Sequence, residues 1–407
     1  MLLGFYDFYL RVAFFNNKKP NSSVAVTLTF IYNKNKSNSM VNTLLTEKEV
    51  TEIRTALSSY KNPLFIFDDD PDGLCSFLLL YRMHREGRGV ILKTSSTLDT
   101  DFIRLIKNYT FDAIFILDIP KVTQAFVDNF KCPIYWIDHH EVLQLDKVKY
   151  YNPHTRDPSV YIPATWLCHQ IADNEKDLWL AMVGCLADWA MPDFREEFVE
   201  KYSDLMSSDA DLDKAVFQED VGTLVRVFAF LLKGPSSKVR KNVKILTRIK
   251  SPYDILKQET PSGKFLYKHF STIDENYQKV LKAGKDERSR SKLLVFEYGD
   301  NKWSFTAILA NELASNNRDK VVIIARKSEG KVKASIRART NIADPLKKTF
   351  EQVNGSGGGH PNACGAVVPE EDWEDFLKIF DKEIKKKGRK EKVKIKNKLK
   401  KPKTKKC

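Results

Sequence analysis

No stretch of this chain approaches the roughly 20 consecutive apolar residues that a bilayer-spanning helix needs, although 42% of its residues are hydrophobic. The apolar material is expected to fill interior cores, and a soluble protein with no membrane partner is expected. Paired cysteines are missing too. The six present, Cys75, Cys132, Cys168, Cys185, Cys364 and Cys407, are scattered and form no Cys-x-x-Cys pair. That argues against a disulfide scaffold and fits a reducing cytoplasm; each reads as a small buried hydrophobe without chemistry. There is no Walker-type phosphate loop, so ATP use is not indicated, and no internal repeat or heptad run. The opening, Met1-Leu2-Leu3-Gly4-Phe5-Tyr6, lacks the basic start and small-residue cleavage site of a secretory signal. Residues 1–40 are read as an extension to which no function is assigned.

Acidic residues nearly vanish at the other end. After Ile384, fourteen Lys or Arg residues face Glu391 alone, so this tail holds +13 of the net charge of +14 and the body is almost neutral. The tail, 385–407, is expected to be disordered in isolation. Through Lys385, Lys386, Lys387, Arg389 and Lys390 it would raise nucleic-acid affinity by counterion release without reading sequence. A plain solubility tail and a nuclear import signal are the competing readings.

What is present begins with three short apolar runs, each delivering polar groups at its end. Leu64-Phe65-Ile66 leads into Phe67-Asp68-Asp69-Asp70-Pro71-Asp72-Gly73. Ala113-Ile114-Phe115-Ile116-Leu117 ends in Asp118, and Ile134-Tyr135 precedes Trp136-Ile137-Asp138-His139-His140. Runs of this length bounded by turn residues, with helix-period stretches between them, read as strands of a parallel sheet whose carboxyl ends line the ligand crevice. Gly73 to Glu86, Ala164 to Ala172 and Leu178 to Asp188 supply the helices, so the fold class is α/β. At 407 residues the chain exceeds one core and implies two domains plus extras.

Asp70 and Asp72 lie two apart on a strand-to-helix turn, where carboxylates within about 4 Å repel by several kcal/mol at an effective dielectric near 20. A hard dication removes that conflict. With Asp118, His139 and Asp188 the set becomes mixed oxygen and imidazole, which suits Mn²⁺ better than a thiolate-rich zinc centre. Two such ions roughly 3.5 to 4 Å apart activate water and stabilise the oxygens of a displacement at phosphorus. Taken singly, Asp-Pro-Asp-Gly is an ordinary turn and a strand-terminal Asp an ordinary helix cap. The adjacent histidines, in a chain with only seven, make the conjunction point to chemistry.

These segments resemble the DHH phosphoesterase superfamily, and in particular its RecJ-like exonuclease branch. The match runs in order through Asp68 to Gly73 with Ser76, then Asp118, then Asp138-His139-His140, then Asp188 after Leu186-Ala187. The resemblance implies metal ligation by Asp68, Asp70, Asp72, Asp118, His139 and Asp188. His140 would contact the scissile phosphate or protonate the leaving oxygen, with Asp138 orienting its neighbours. Asp68, where many members have His, favours the nuclease branch. Downstream, Gly355-Ser356-Gly357-Gly358-Gly359-His360-Pro361-Asn362-Ala363-Cys364-Gly365-Ala366 resembles the glycine-rich loop of the DHHA1 domain. Ala334-Ser335-Ile336-Arg337-Ala338-Arg339 resembles its Ser-x-Arg strand. Gly357, Gly358 and Gly359 would present backbone amides to a phosphate, with His360 and Arg337 as side-chain donors.

The expected organisation is an uncertain extension over 1–40, a parallel-sheet DHH domain over 41–200 and a helical connector over 201–290. A smaller α/β DHHA1 domain follows over 291–384, then the basic tail. The expected function is metal-dependent hydrolysis of nucleic-acid phosphodiesters by a single-strand-specific exonuclease that releases nucleoside monophosphates. Two Mn²⁺ ions, with Mg²⁺ as the alternative, would serve as cofactors, and single-stranded nucleic acid or short oligonucleotides and replication or repair proteins as partners. Two alternatives stay open: an oligoribonuclease, cyclic-dinucleotide phosphodiesterase or nucleotide phosphatase of the same superfamily, and a catalytically inactive replication scaffold.

Overall fold

Long apolar runs with polar ends build the first sheet. The structure, a computed structural model, describes residues 44–93, 97–299 and 302–400, with side chains through 387; the extension over 1–40 lies outside the described residues. Two units are distinguished. One takes the described residues up to Leu232 together with Arg240–Glu259, and the other takes Lys233–Val239 and the described residues from Thr260 onward.

In the first unit, α1 (Glu47–Ser59) precedes β1 (Pro63–Asp68), α2 (Pro71–His84), β2 (Arg88–Leu92), β3 (Ala113–Leu117), β4 (Ile134–Ile137) and β5 (Val148–Tyr151). Helix α1 starts with a reciprocal capping box, Thr46 Oγ1 accepting from the Glu49 amide while Glu49 Oε2 accepts from the Thr46 amide. The strands form one sheet in the order β2-β1-β3-β4-β5, all parallel. The three strands expected from the apolar runs are its centre. β2 and β5 are the edges, and their short half-exposed sequences carry no comparable run.

Both faces of the sheet are covered, which is why its central strands read as unbroken apolar runs rather than alternations. Leu64, Ile66, Ile114, Ile116, Ile134 and Trp136 pack on one face with Phe102 and Phe126. On the other, Phe67 stacks on Phe77 of α2 at 4.7 Å and Phe115 on Tyr135 at 4.8 Å between centroids. Helices α3 (Ala164–Ala172) and α4 (Leu178–Ala187) pack against α2. Much of the stretch expected to bridge two domains instead belongs to this unit: α5 (Asp220–Leu231) packs on α4 and α2, and residues 240–259 join it. They are held by Arg82, whose guanidinium lies 2.9 Å from the Asp177 carboxylate and donates to the Ile249 carbonyl at 2.7 Å. Helix α6 (Ser236–Leu246) is the element at which the chain passes between the two units.

In the second unit, α7 (Pro261–Asp286) leads to β6 (Leu293–Tyr298), α8 (Thr306–Asn316), β7 (Val321–Ser328), β8 (Lys331–Arg337), α9 (Ala343–Phe350), β9 (Ser356–His360), β10 (Ala363–Pro369) and α10 (Trp373–Lys400). The sheet order is β9-β10-β8-β7-β6, parallel only between β6 and β7. Two expectations change here. The glycine-rich segment is not a loop but the edge strand β9, paired with β10. Its glycines permit close pairing, because a Cβ on Gly357 would meet the Gly365 carbonyl oxygen at 2.4 Å. The basic segment after 384 continues α10 to Lys400 rather than being disordered, as its run of Lys, Ile, Val and Leu with few breakers allows; residues 401–407 lie outside the described residues.

Arg82 and Asp177 are both largely buried, so removing one strands the other's charge at a cost of roughly 3 to 5 kcal/mol. The Arg82→Ala variant should unfold at markedly lower denaturant than wild type, and the double variant Arg82→Met/Asp177→Leu should recover part of the loss. Equal midpoints for Arg82→Ala and wild type would show that the pair is not a pin.

Candidate metal centre

The carboxyl ends of β1, β3 and β4 deliver the acidic and imidazole groups side by side, because these strands are neighbours in register. Asp68 ends β1, and Asp70 caps α2, its Oδ1 accepting from the Gly73 amide at 2.9 Å. Gly73 is required there, since a Cβ would come within 2.7 Å of the Asp68 nitrogen. Asp72, in the first turn of α2, is buried and reaches to α3, taking the amides of Ala164 at 2.9 Å and Thr165 at 2.7 Å. The ordinary cap reading of these aspartates is thus correct, and the same carboxylates also face the site.

Asp118 follows β3 with φ of +57°, a left-handed conformation that Asp tolerates better than most residues. It is buried, and its Oδ1 accepts no hydrogen bond. His139 is the hub. Its Nε2 lies 3.2 Å from Asp118 Oδ1, 3.5 Å from Asp188 Oδ2 and 3.8 Å from Asp72 Oδ2. Three sets of donor atoms lie close enough to share an ion: Asp72, His139 and Asp188; Asp68, Asp70 and Asp118; and Asp118, His139 and His140. All six residues expected as ligands are therefore brought together, with Asp118 common to two sets.

The electrostatics favour a cation among these carboxylates. Burial, then the neighbouring Asp70, pushes Asp68 and Asp72 up to about 7. Burial also raises Asp70, while burial and the surrounding carboxylates push Asp118 and Asp188 well above the usual range. An orphaned buried carboxylate oxygen within an oxygen-and-imidazole set fits a hard dication, Mn²⁺ or Mg²⁺.

His140 is set apart from the hub. Fully buried Asp138 accepts from its Nδ1 at 2.8 Å and its amide at 3.1 Å. Burial alone would lower the imidazole's pKa, but that bond and the Asp138, Asp70 and Asp72 charges hold it above its ordinary value. Asp138 also accepts from Tyr150 OH at 3.2 Å, and Asn152 donates to Tyr150 OH and to the His140 carbonyl. Sequence reasoning missed Tyr150, Asn152 and Tyr161. Tyr161 donates to Asp188 Oδ2 at 2.8 Å and sets its ring edge-on to His139. A tyrosine pair before Asn152-Pro153 was the one visible signal for the first two, and nothing in the sequence marked Tyr161.

In the second unit, Arg337 ends β8, half-buried. Its Nε donates to Asn311 and its Nη1 to the Ile336 and Cys364 carbonyls, and no carboxylate pairs with it among the described residues. Asn311 on α8, also missed, orients it. His360 and Gly358 are exposed, and nothing lies within 4 Å of where a Gly358 Cβ would be. Of the basic tail, Lys385, Lys386 and Lys387 each sit beside a carboxylate, Asp381, Glu383 and Asp344 respectively, so their charge is partly answered within the protein. The side chains of Arg389 and Lys390 lie outside the described residues.

Residues 291–386 match the DHHA1 domain family. The second unit thus carries a DHHA1 domain, and the chain has a RecJ-like fold. Among solved structures, it is similar to RecJ from Thermus thermophilus in complex with Mn²⁺, at 14% identity and a TM-score of 0.60 over 83% of this chain. It spans 55% of that RecJ. A DHH domain from a member of a family of ribosomal proteins matches at 14% identity and a TM-score of 0.57, over 88% of this chain and 98% of its own. An exonuclease RecJ bound to manganese matches at 15% identity and a TM-score of 0.52, over 83% and 94%. None of the curated proteins matches the sequence. The first unit carries the acidic centre, and the DHHA1 domain carries the glycine strand and Arg337. No helix of the described residues is long and apolar enough to cross a membrane.

Groups whose folded-state pKa is raised bind more protons folded than unfolded, so stability is lost as pH rises from the unfolded value near 4 through about 7 for Asp68 and Asp72. Metal-free protein should show a melting temperature that falls over that window. Mn²⁺ added at pH 7.5 should raise it in proportion to RT ln(1 + [Mn²⁺]/Kd). A flat pH profile with no response to Mn²⁺ would refute the metal centre.

Proposed function

We propose that the protein is a metal-dependent phosphodiesterase, most specifically a RecJ-like single-strand exonuclease that releases nucleoside monophosphates. The observation that carries this reading is the convergence of Asp72, Asp118 and Asp188 on His139 Nε2, beside a second acidic set on the same strand ends. Asp72, His139 and Asp188 would hold one Mn²⁺ and Asp68, Asp70 and Asp118 the other, with Mg²⁺ as substitute. Such ions, when bound, supply a water of lowered pKa and offset charge on the phosphoryl oxygens.

The chain's own groups do the rest. Asp138 keeps the His140 ring oriented and favours its protonated form, so His140 can donate to a phosphoryl oxygen and return a proton to the departing oxygen. Arg337, held by Asn311 and lacking a carboxylate partner among the described residues, is suited to a phosphate, as are the exposed Gly357, Gly358, Gly359 and His360 of β9. Five described cysteines, all unpaired, support action in the cytoplasm. A second reading is hydrolysis of short oligonucleotides or cyclic dinucleotides.

End-labelled single-stranded DNA and RNA of about 5 and about 40 nucleotides, incubated with Mn²⁺, distinguish these. Stepwise shortening of the long strands is expected. His139→Ala should abolish it and His140→Ala should slow it by about 10² to 10⁴. Cleavage of the short strands alone would select the second reading, and no metal-dependent cleavage would leave a scaffold.

A further inference from the structure

The segment Arg240–Tyr253 of the first unit contains five cations, Arg240, Lys241, Lys244, Arg248 and Lys250, and no acidic residue. Arg240, Lys244 and Arg248 recur every four residues. Helix α6 ends at Leu246, but the next turn stays hydrogen-bonded, Thr247 to the Val243 carbonyl and Arg248 to that of Ile245. The three therefore stand along one ridge. All five cations are exposed, whereas Asn242, Val243, Leu246 and Ile249 on the other side are buried. Among the described residues no carboxylate pairs with Arg240, Lys244, Arg248 or Lys250. Elsewhere in this unit exposed cations do find partners, as Lys149 does at Glu52, Lys147 at Asp128 and Lys214 at Asp209. Like charges four apart on a helix repel, so the ridge is relieved by an external polyanion.

Its position gives that polyanion a direction. At one end, Asn242 donates to the Leu231 carbonyl at 2.8 Å, and the adjacent Leu232 carbonyl takes Lys93 Nζ at 2.7 Å. Lys93 in turn lies 3.7 Å from Asp69, between the ligands Asp68 and Asp70. At the other end, Ile249 is tied to Arg82 in the last turn of α2, the helix whose first turn carries Asp72. One end of the segment is thus linked through Lys93 to the acidic loop, and the other to the last turn of α2. From Arg240 to Arg248 the ridge covers about 12 Å at 1.5 Å per residue, on the order of three phosphates of a nucleic-acid strand.

We propose that Arg240, Lys244 and Arg248 form a track that grips the phosphate backbone of a single strand behind the nucleotide at the metal centre. The side that an amphipathic membrane helix would insert is buried in the protein, so a lipid surface fits less well. The proposal rests on the phosphodiesterase reading and deepens it, because it makes the substrate a polymer.

The test compares wild type, Arg240→Gln/Lys244→Gln/Arg248→Gln and a control that loses the same charge elsewhere, Lys107→Gln/Lys131→Gln/Lys176→Gln. Binding of a 40-nucleotide single-stranded DNA is measured against salt without divalent metal, and Mn²⁺-dependent hydrolysis of a dinucleotide reports on the centre. The ridge variant should keep dinucleotide hydrolysis and lose about 2 from the slope of log affinity on log salt, at about 0.7 per phosphate contact, while the control keeps most of the slope. Equal slopes for ridge variant and wild type overturn the track. So does a wild type that binds no single strand, or one that binds only anionic phosphatidylserine vesicles. Wild type that binds with the expected slopes but hydrolyses neither DNA nor dinucleotide would sink the phosphodiesterase reading alone.

Discussion

Five carboxylates and a buried imidazole share the carboxyl edge of one parallel sheet, and their mutual repulsion is the constraint around which the first unit is organised. Each carboxylate is pushed upward by burial, and all but Asp70 by neighbouring carboxylates as well. A sequence under no functional demand would replace such groups with apolar ones at a gain in stability. Their retention around His139, with a buried Asp118 oxygen that accepts no hydrogen bond, makes sense as a set suited to holding a cation.

The scaffold answers the constraint by giving the same groups structural work. Asp70 caps α2 and Asp72 takes two amides at the start of α3, so hydrogen bonds lower part of what burial raises. These bonds also fix the carboxylates' directions before any ion arrives, which is what an ordered centre needs. Gly73 lets α2 start hard against the end of β1. Behind this layer, stacked Phe67 and Phe77 and the Arg82–Asp177 pin hold α2 to the sheet and to the returning segment 240–259. The second unit follows the same economy on an antiparallel edge, where bare glycine backbone and a half-buried guanidinium have no acidic partner among the described residues.

Much of this is legible in the sequence. The central strands announced themselves because both faces are buried and their apolar runs are unbroken. The helices α2, α3 and α4 fall within a few residues of where periodicity puts them. The edge strands β2 and β5 were not legible, since half-exposed strands of four or five residues leave no run. The glycine segment reads as a loop through its resemblance to the DHHA1 glycine-rich loop; pairing with β10 makes it an edge strand. The basic tail was expected to lack structure from its charge, yet its first turns extend α10, where Lys385, Lys386 and Lys387 find carboxylates.

The sequence by itself determined the fold class, the order of the chemical segments and the identity of the acidic and imidazole groups, because local runs, turns and charge are properties of neighbouring residues. Only the tertiary structure decided that Asp72, Asp118 and Asp188 meet at one nitrogen of His139. It likewise decided that Asp138, Tyr150 and Asn152 hold His140, that Asn311 steers Arg337, and that Lys93 ties the acidic loop to the Leu232 carbonyl. Each of these joins residues far apart in the chain, and such contacts are set by sheet order and helix packing rather than by any local pattern.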